Sequence, residues 1–221
     1  MPKTIAFLFI GQTPRPDIMD DMRTGLGTDF AIGEYGALDG LSRDEIEALA
    51  PRSRQETLVT KLKDGTTVSV SEPEVQKLLK DRVLQAAAEG AKLAVIMCTG
   101  EFRIEAPIPL VTADDAFHKL QTIPENCRKI GVIVPKAEQQ EVFSTCYKTY
   151  GLPVTSGAAD PYGDDAAIIA EGMRLASEGA DLICLDCMGF TPDQAEKVRM
   201  ACGKETRVPR TEIIKAIKEI I

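Results

Sequence analysis

The 221-residue sequence contains one histidine, no glycine-rich phosphate-binding motif and no long apolar run. Paired histidines for a zinc site are therefore excluded, and the C-x-x-C pair of Cys184 and Cys187 has no second pair to complete four ligands. Neither G-x-G-x-x-G nor the Walker-type G-x-x-x-x-G-K-[ST] occurs, so nucleotide binding has no positive signal. No segment approaches the roughly 20 apolar residues of a membrane span. We expect no cofactor and no bound metal.

Basic residues form no stripe along the sequence. The 26 Lys and Arg residues are outnumbered by 34 Asp and Glu residues, for a net charge of −8. Neither nucleic acid nor a membrane surface is therefore expected as a partner. The N-terminal segment has no secretory cleavage pattern, and six cysteines without an export signal predict a cytoplasmic protein with free thiols.

The sequence does contain an internal duplication. Residues 89–100, "EGAKLAVIMCTG", and 178–189, "EGADLICLDCMG", are identical at six of twelve positions. A segment with helical spacing that stops at glycine precedes each run. The apolar segments "TIAFLFIG" and "KIGVIVPK" open the two halves and are typical of parallel strands buried on both faces. The sequence therefore predicts an α/β fold of two pseudo-symmetric Rossmann-like lobes, residues 1–113 and 114–208, with a cleft between them.

The first half carries an insertion near residues 30–72. Two segments there read as short strands around a helix, whose start has a capping box of Ser42 and Glu45. These strands either extend the first sheet or form an arm toward a second subunit.

Cys98 and Cys187 end the duplicated runs, at the carboxyl ends of the predicted strands, where parallel sheets bind ligands. If the halves face each other, the two thiols meet across one cleft. One cysteine as a thiolate then removes a proton from a carbon next to a carboxylate, and the other delivers a proton to the opposite face. This pair is the predicted catalytic machinery.

The turns beyond the strands supply the predicted substrate-binding groups. Backbone N–H groups after each cysteine bind developing negative charge, and an arginine can hold a carboxylate with two hydrogen bonds. The predicted binding residues are Gln12, Thr13, Arg15, Thr99, Gly100, Lys136, Met188 and Gly189.

Other interpretations stay open at this point. The cysteines also fit a role as small buried core residues at strand ends. A redox role for Cys184 and Cys187 is disfavoured, because an offset of three places their side chains on opposite faces of a strand. Asp160 and Asp164 could attract a hard cation, but a turn and a helix cap explain them more simply.

The segments "IGQTPRPD", "GALDGLS", "GVIVP" and "GADLICLDCMGF" resemble the AroM family. More distantly, the paired cysteines are similar to the aspartate/glutamate racemase superfamily, which includes hydantoin racemases, maleate isomerases and arylmalonate decarboxylases. The resemblance implies cofactor-independent chemistry on a small carboxylate-bearing substrate and a C-terminal segment, 209–221, packed on the first lobe. Members of that superfamily commonly form homodimers, so the resemblance also implies a homodimer.

Three departures from glutamate racemases weigh against acidic amino acids as substrates. The first turn reads "GQTPRP" instead of a serine- and glycine-rich sequence, and Met188 and Gly189 replace the usual threonine and histidine. The only histidine, His118, lies far away in the sequence. Asp186 precedes Cys187, and a nearby carboxylate disfavours a thiolate.

The function predicted from the sequence is a racemase or isomerase of a small amino acid or α-substituted carboxylate. The alternatives are a catalytically inactive regulatory protein that binds a small molecule, and a lyase or decarboxylase that uses one cysteine.

Overall fold

The computed structural model describes residues 3–53, 56–119 and 122–220. The chain forms two compact units, Met1–Thr112 and Ala113–Ile221, which we call the first and the second lobe. Within the described residues, no helix is long and apolar enough to cross a membrane.

The first lobe is a parallel sheet with helices and a separate hairpin. Its strands in the sheet order β2-β1-β5-β6 are all parallel. Its elements are β1 (Lys3–Phe9), α1 (Pro16–Leu26), β2 (Phe30–Gly36), α2 (Arg43–Glu47), β3 (Thr57–Lys61), β4 (Thr67–Ser71), α3 (Glu72–Ala88), β5 (Leu93–Ile96) and β6 (Leu110–Thr112).

The second lobe repeats this plan. Its sheet order is β10-β9-β7-β8, again all parallel. Its elements are β7 (Ile130–Val134), α4 (Gln140–Cys146), β8 (Val154–Ala158), α5 (Asp165–Ser177), β9 (Leu182–Leu185), α6 (Pro192–Cys202), β10 (Glu205–Arg207) and α7 (Pro209–Ile220), preceded by a π-helical turn at Asp115–Lys119.

Chain order and sheet order match between the lobes, so β1, β2, β5 and β6 correspond to β7, β8, β9 and β10. The two central strands of the second lobe, β7 and β9, and β5 of the first are buried at every residue, which is why they read as continuous apolar runs. The predicted α/β fold with two parallel-sheet lobes is confirmed.

The structure redefines the insertion of the first lobe. Strand β2 pairs with β1 and corresponds to β8, so the extra segment begins only after Gly36. It contains α2, which begins with the predicted capping box of Ser42 and Glu45. It also contains β3 and β4, which pair with each other as an antiparallel hairpin outside the main sheet.

The C-terminal helix α7 is part of the second lobe, where it packs against the turn at Asp115–Lys119. The packing of 209–221 on the first lobe and the cleft between the lobes stay predictions.

Candidate functional site

The first cysteine lies beside the turn that follows β1. Strands β1 and β5 are hydrogen-bonded neighbours, and the ladder continues to Met97, whose N–H donates to the carbonyl oxygen of Leu8 at 2.8 Å. Cys98 follows directly and is partly exposed. The backbone N–H of Gly100 points at its sulfur, with an N···Sγ distance of 3.5 Å.

The second cysteine repeats this local geometry. Cys187 follows β9, the counterpart of β5, and is also partly exposed. The N–H of Gly189 points at its sulfur, with an N···Sγ distance of 3.3 Å. A donor directed at sulfur favours the thiolate over the thiol. The duplication in sequence is therefore a duplication of the cysteine environment.

A further donor lies next to each cysteine. In the described part of the chain, the N–H groups of Thr99 and Met188 have no hydrogen-bond acceptor. Both residues are buried at the carboxyl end of a sheet. Each turn thus directs one N–H group at sulfur and leaves one N–H group without an acceptor among the described residues.

The two glycines differ in the space around them. A Cβ atom at Gly189 would lie 2.8 Å from Cγ of Pro161, so a side chain at this position would displace the neighbouring loop. A Cβ atom at Gly100 would make contacts of 3.5 Å or more and would fit. Glycine is sterically required only in the second turn.

Two carboxylates hold the turn that follows β1: Asp17 at the start of α1 and Asp39 after β2. The hydroxyl of Thr13 donates to Asp39 at 2.5 Å, and its backbone N–H donates to the same carboxylate at 2.8 Å. Arg15 is buried and binds Asp17 through Nε and Nη2 at 2.8 and 2.7 Å. Its guanidinium carbon lies 5.7 Å from the centre of the Phe9 ring. The two N–H groups of Arg15 that could clamp a substrate carboxylate are therefore already bound to a carboxylate of the chain itself. The role of Arg15 as a substrate ligand stays a prediction.

Gln12 ties this turn to the hairpin. Its side-chain amide donates to the carbonyl of Leu38 at 3.3 Å and accepts from the N–H of Lys63 at 3.0 Å. A Cβ atom at Gly11 would lie 2.5 Å from the carbonyl oxygen of Lys61. The hairpin therefore sits directly on the end of β1, a contact that the sequence did not predict.

The hairpin also reaches the first cysteine turn. A Cβ atom at Gly100 would lie 3.5 Å from Cδ2 of Leu58 and 3.6 Å from the sulfur of Cys98. Leu58 and Cys98 pack against the same apolar core. Leu58 thus places an apolar wall beside the first cysteine.

In the second lobe, Lys136 follows β7, the neighbour of β9, and its side chain is exposed. Its backbone N–H donates to Gln139 at 3.2 Å. Lys136 thus follows a strand of the sheet that carries Cys187, and its binding role stays a prediction.

Arg210 supports the second cysteine turn and was missed by the sequence reasoning. It is 1% exposed, and it donates from Nε to the carbonyl of Met188 at 2.9 Å and from Nη2 to that of Gly189 at 3.1 Å. Arg210 thus binds the carbonyl groups of Met188 and Gly189. Because the N–H and C=O groups of a trans peptide point in opposite directions, the N–H groups of these two peptides face away from Arg210. No local pattern in the sequence predicts this contact, since the partners are more than 20 residues apart.

The only histidine contacts Asp186, the residue that directly precedes the second cysteine, although His118 and Asp186 are 68 residues apart in the sequence. His118 is buried between two carboxylates, with Nδ1 2.7 Å from Asp114 and Nε2 2.7 Å from Asp186. Burial opposes the charged ring, but the charge of Asp186 and the hydrogen bonds to both carboxylates outweigh it and raise the pKa of His118 to about 9. The imidazole is therefore protonated at neutral pH, with both ring nitrogens donating.

Similar folds occur in several enzymes of known structure. Allantoin racemase from Klebsiella pneumoniae superposes with a TM-score of 0.68 at 13% identity, over 99% of this chain and 87% of its own. Arylmalonate decarboxylase gives 0.62 at 16% identity over 97% and 91%. A glutamate racemase of Bacillus anthracis gives 0.62 at 15% identity over 99% and 81%. At these identities the likeness shows a shared fold.

No curated protein has a matching sequence. The family described as AroM protein matches residues 5–221, which is nearly the whole chain. The chain therefore belongs to the AroM family, as its motifs predicted.

Proposed function

We propose that this protein is a cofactor-independent racemase or isomerase of a small α-substituted carboxylate, with Cys98 and Cys187 as its two acid/base groups. The observation that carries the proposal is the repeated local geometry, in which each sulfur accepts an N–H group from the glycine two residues on. Two buried core cysteines would have no need of such a donor.

The fold adds support. Racemases for allantoin and glutamate and a maleate isomerase have the same architecture, together with a decarboxylase. Their reactions differ in substrate, so the fold supports a class of chemistry and leaves the substrate to the side chains of this chain.

The reaction needs one thiolate and one thiol. The thiolate takes the α-proton of the substrate, so that a C–H bond breaks, an S–H bond forms and the electron pair moves into the carboxylate. The other thiol then gives its proton to the opposite face of that carbon. The configuration is inverted, the roles of the two sulfurs are exchanged, and proton exchange with water restores them.

The substrate carboxylate gains negative charge in this step. The N–H groups of Thr99 and Met188 and the ammonium of Lys136 are the donors that we assign to it, because Thr13 and Arg15 already bind Asp39 and Asp17. Preorganised donors of this kind stabilise developing charge. Leu58 favours a substrate whose remaining substituent is apolar on the side of Cys98.

The test is incubation of the purified protein in heavy water with a panel of amino acids and α-substituted acids, followed by mass and chirality analysis. A two-base enzyme incorporates deuterium at the α-carbon, and Cys98→Ser and Cys187→Ser each abolish turnover. Cys202→Ser is the matched control, since Cys202 is also a partly exposed free thiol, and it should remain active.

Other outcomes decide against the proposal. A lyase or decarboxylase would depend on one cysteine and release a product of different mass. A regulatory binding protein would retain its ligand in both serine variants and exchange no hydrogen.

A further inference from the structure

The buried carboxylate next to the second cysteine has an unusual set of partners. Asp186 is fully buried, and its Oδ2 receives Nε2 of His118 at 2.7 Å and the hydroxyl of Tyr147 at 3.1 Å. Its other oxygen has no hydrogen-bond partner among the described residues. In that part of the chain, His118 is the only cation paired with Asp186.

The second carboxylate on His118 is compensated separately. Asp114 also receives the ammonium of Lys119 at 2.6 Å, and Lys119 extends to Asp115 at 2.9 Å. Burial works against the ionised form of Asp114, but the hydrogen bonds from His118 and Lys119 hold its pKa below the usual range. Loss of the histidine charge would therefore leave Asp114 paired and Asp186 unpaired.

The groups around the imidazole come from three elements. Asp114 directly precedes the turn of His118 and Lys119 ends it, Asp186 follows β9, and Tyr147 follows α4. The ring of Phe143 on α4 packs edge-on to the imidazole with centroids 6.3 Å apart. Tyr147 stays neutral, because burial and the charge of Asp186 raise its pKa well above the usual value. Its hydroxyl therefore adds a hydrogen bond without charge.

Asp186 is adjacent in the chain to Cys187, so their Cα atoms are about 3.8 Å apart. Asp186 is directed into the core, whereas Cys187 is partly exposed. An uncompensated carboxylate on the neighbouring residue would disfavour a thiolate, and low-dielectric surroundings would strengthen the effect.

We propose that protonated His118 is a positioning residue that neutralises Asp186 and thereby keeps Cys187 available as a thiolate. Its part in turnover rests on the proposed function, but its effect on thiol reactivity does not. The single histidine thus acts on the second cysteine through the carboxylate between them.

The test is the pH dependence of Cys187 alkylation by iodoacetamide in the full chain, quantified for each cysteine by peptide mass spectrometry. His118→Gln is expected to raise the alkylation midpoint of Cys187 by about one pH unit, equivalent to about tenfold slower reaction at neutral pH. Cys202 in the same samples serves as the internal reference, because it is also a partly exposed free thiol, and its midpoint should not move.

Two further variants separate charge from structure. Asp186→Asn alone should lower the midpoint below that of the wild type, and it tests the proposal even if His118→Gln fails to fold. The double variant His118→Gln/Asp186→Asn should return the midpoint to the wild-type value or below. A purely structural role would leave the double variant as impaired as the single one.

An unchanged midpoint in His118→Gln, or a raised one in Asp186→Asn, would overturn the inference. Because the alkylation needs no substrate, this result is independent of the heavy-water experiment. A protein that fails to exchange hydrogen but shows these midpoints would refute the proposed function and retain the role of His118.

Discussion

The charged state of His118 makes a prediction about stability and pH. Its pKa of about 9 in the folded chain exceeds the ordinary value of 6.5, so the folded state binds this proton more tightly than the unfolded state. The stabilisation is fully present below about pH 6.5 and is lost as the pH rises through about 9. A pKa difference of about 2.5 corresponds to about 3 kcal/mol of unfolding free energy.

The assay has two parts. NMR of the imidazole follows the ring directly, and because the chain has one histidine the signal needs no assignment. Urea-induced unfolding, followed by circular dichroism between pH 6 and 10, should show a loss of stability that begins near pH 6.5 and is complete near pH 9. His118→Gln is the control, which should lack this loss between about pH 6.5 and 9. A ring that titrates at or below pH 6.5, or a wild-type stability that is constant from pH 7 to 9.5, would refute the reasoning.

Three further predictions concern the second cysteine turn, the contact between α5 and α6, and the contact between the end of β1 and the hairpin. Arg210→Lys removes the forked hydrogen bonds to the second turn and should lower the unfolding free energy by about 2 kcal/mol; a urea midpoint equal to that of the wild type would contradict this role. Gly172→Ala should destabilise by about 1–3 kcal/mol, although alanine favours helices, because its Cβ would overlap Val198 on α6. The added substitution Val198→Ala should recover part of that loss in thermal melts, and a fully additive double variant would refute the overlap. Gly11→Ala should detach the hairpin, because its Cβ would meet the carbonyl of Lys61, and limited proteolysis should then cut the hairpin faster than in wild type.

The sequence was a good guide to local structure. The apolar runs of β1 and β7 were predicted as parallel strands buried on both faces, and β7 is buried at every residue and β1 from Ile5 to Phe9. Ser42 and Glu45 were predicted as a capping box because capping depends on residues three apart. The turn and cap predicted for Asp160 and Asp164 are also observed, with bonds to the N–H groups two residues on.

Contacts between distant segments escaped prediction. Arg210 reads as an ordinary charged residue near a helix start, yet it is buried beneath the turn after Cys187. The contact of Arg15 with Asp17 is local and also escaped prediction, because the sequence does not show whether the guanidinium binds this neighbour or a ligand. The partners of Arg210 are determined by the tertiary fold, since both carbonyl groups lie more than 20 residues away in the sequence.

The sequence by itself determined the duplication, the parallel strands and the position of a cysteine at the end of β5 and of β9. These features depend on periodicity and on neighbours along the chain. The tertiary structure alone decided that the hairpin rests on the end of β1 and that His118 joins Asp186 across 68 residues. The physical reason is burial. An isolated buried carboxylate such as Asp186 costs free energy, so it pairs with a cation that the fold brings within reach, even one that is distant in the sequence.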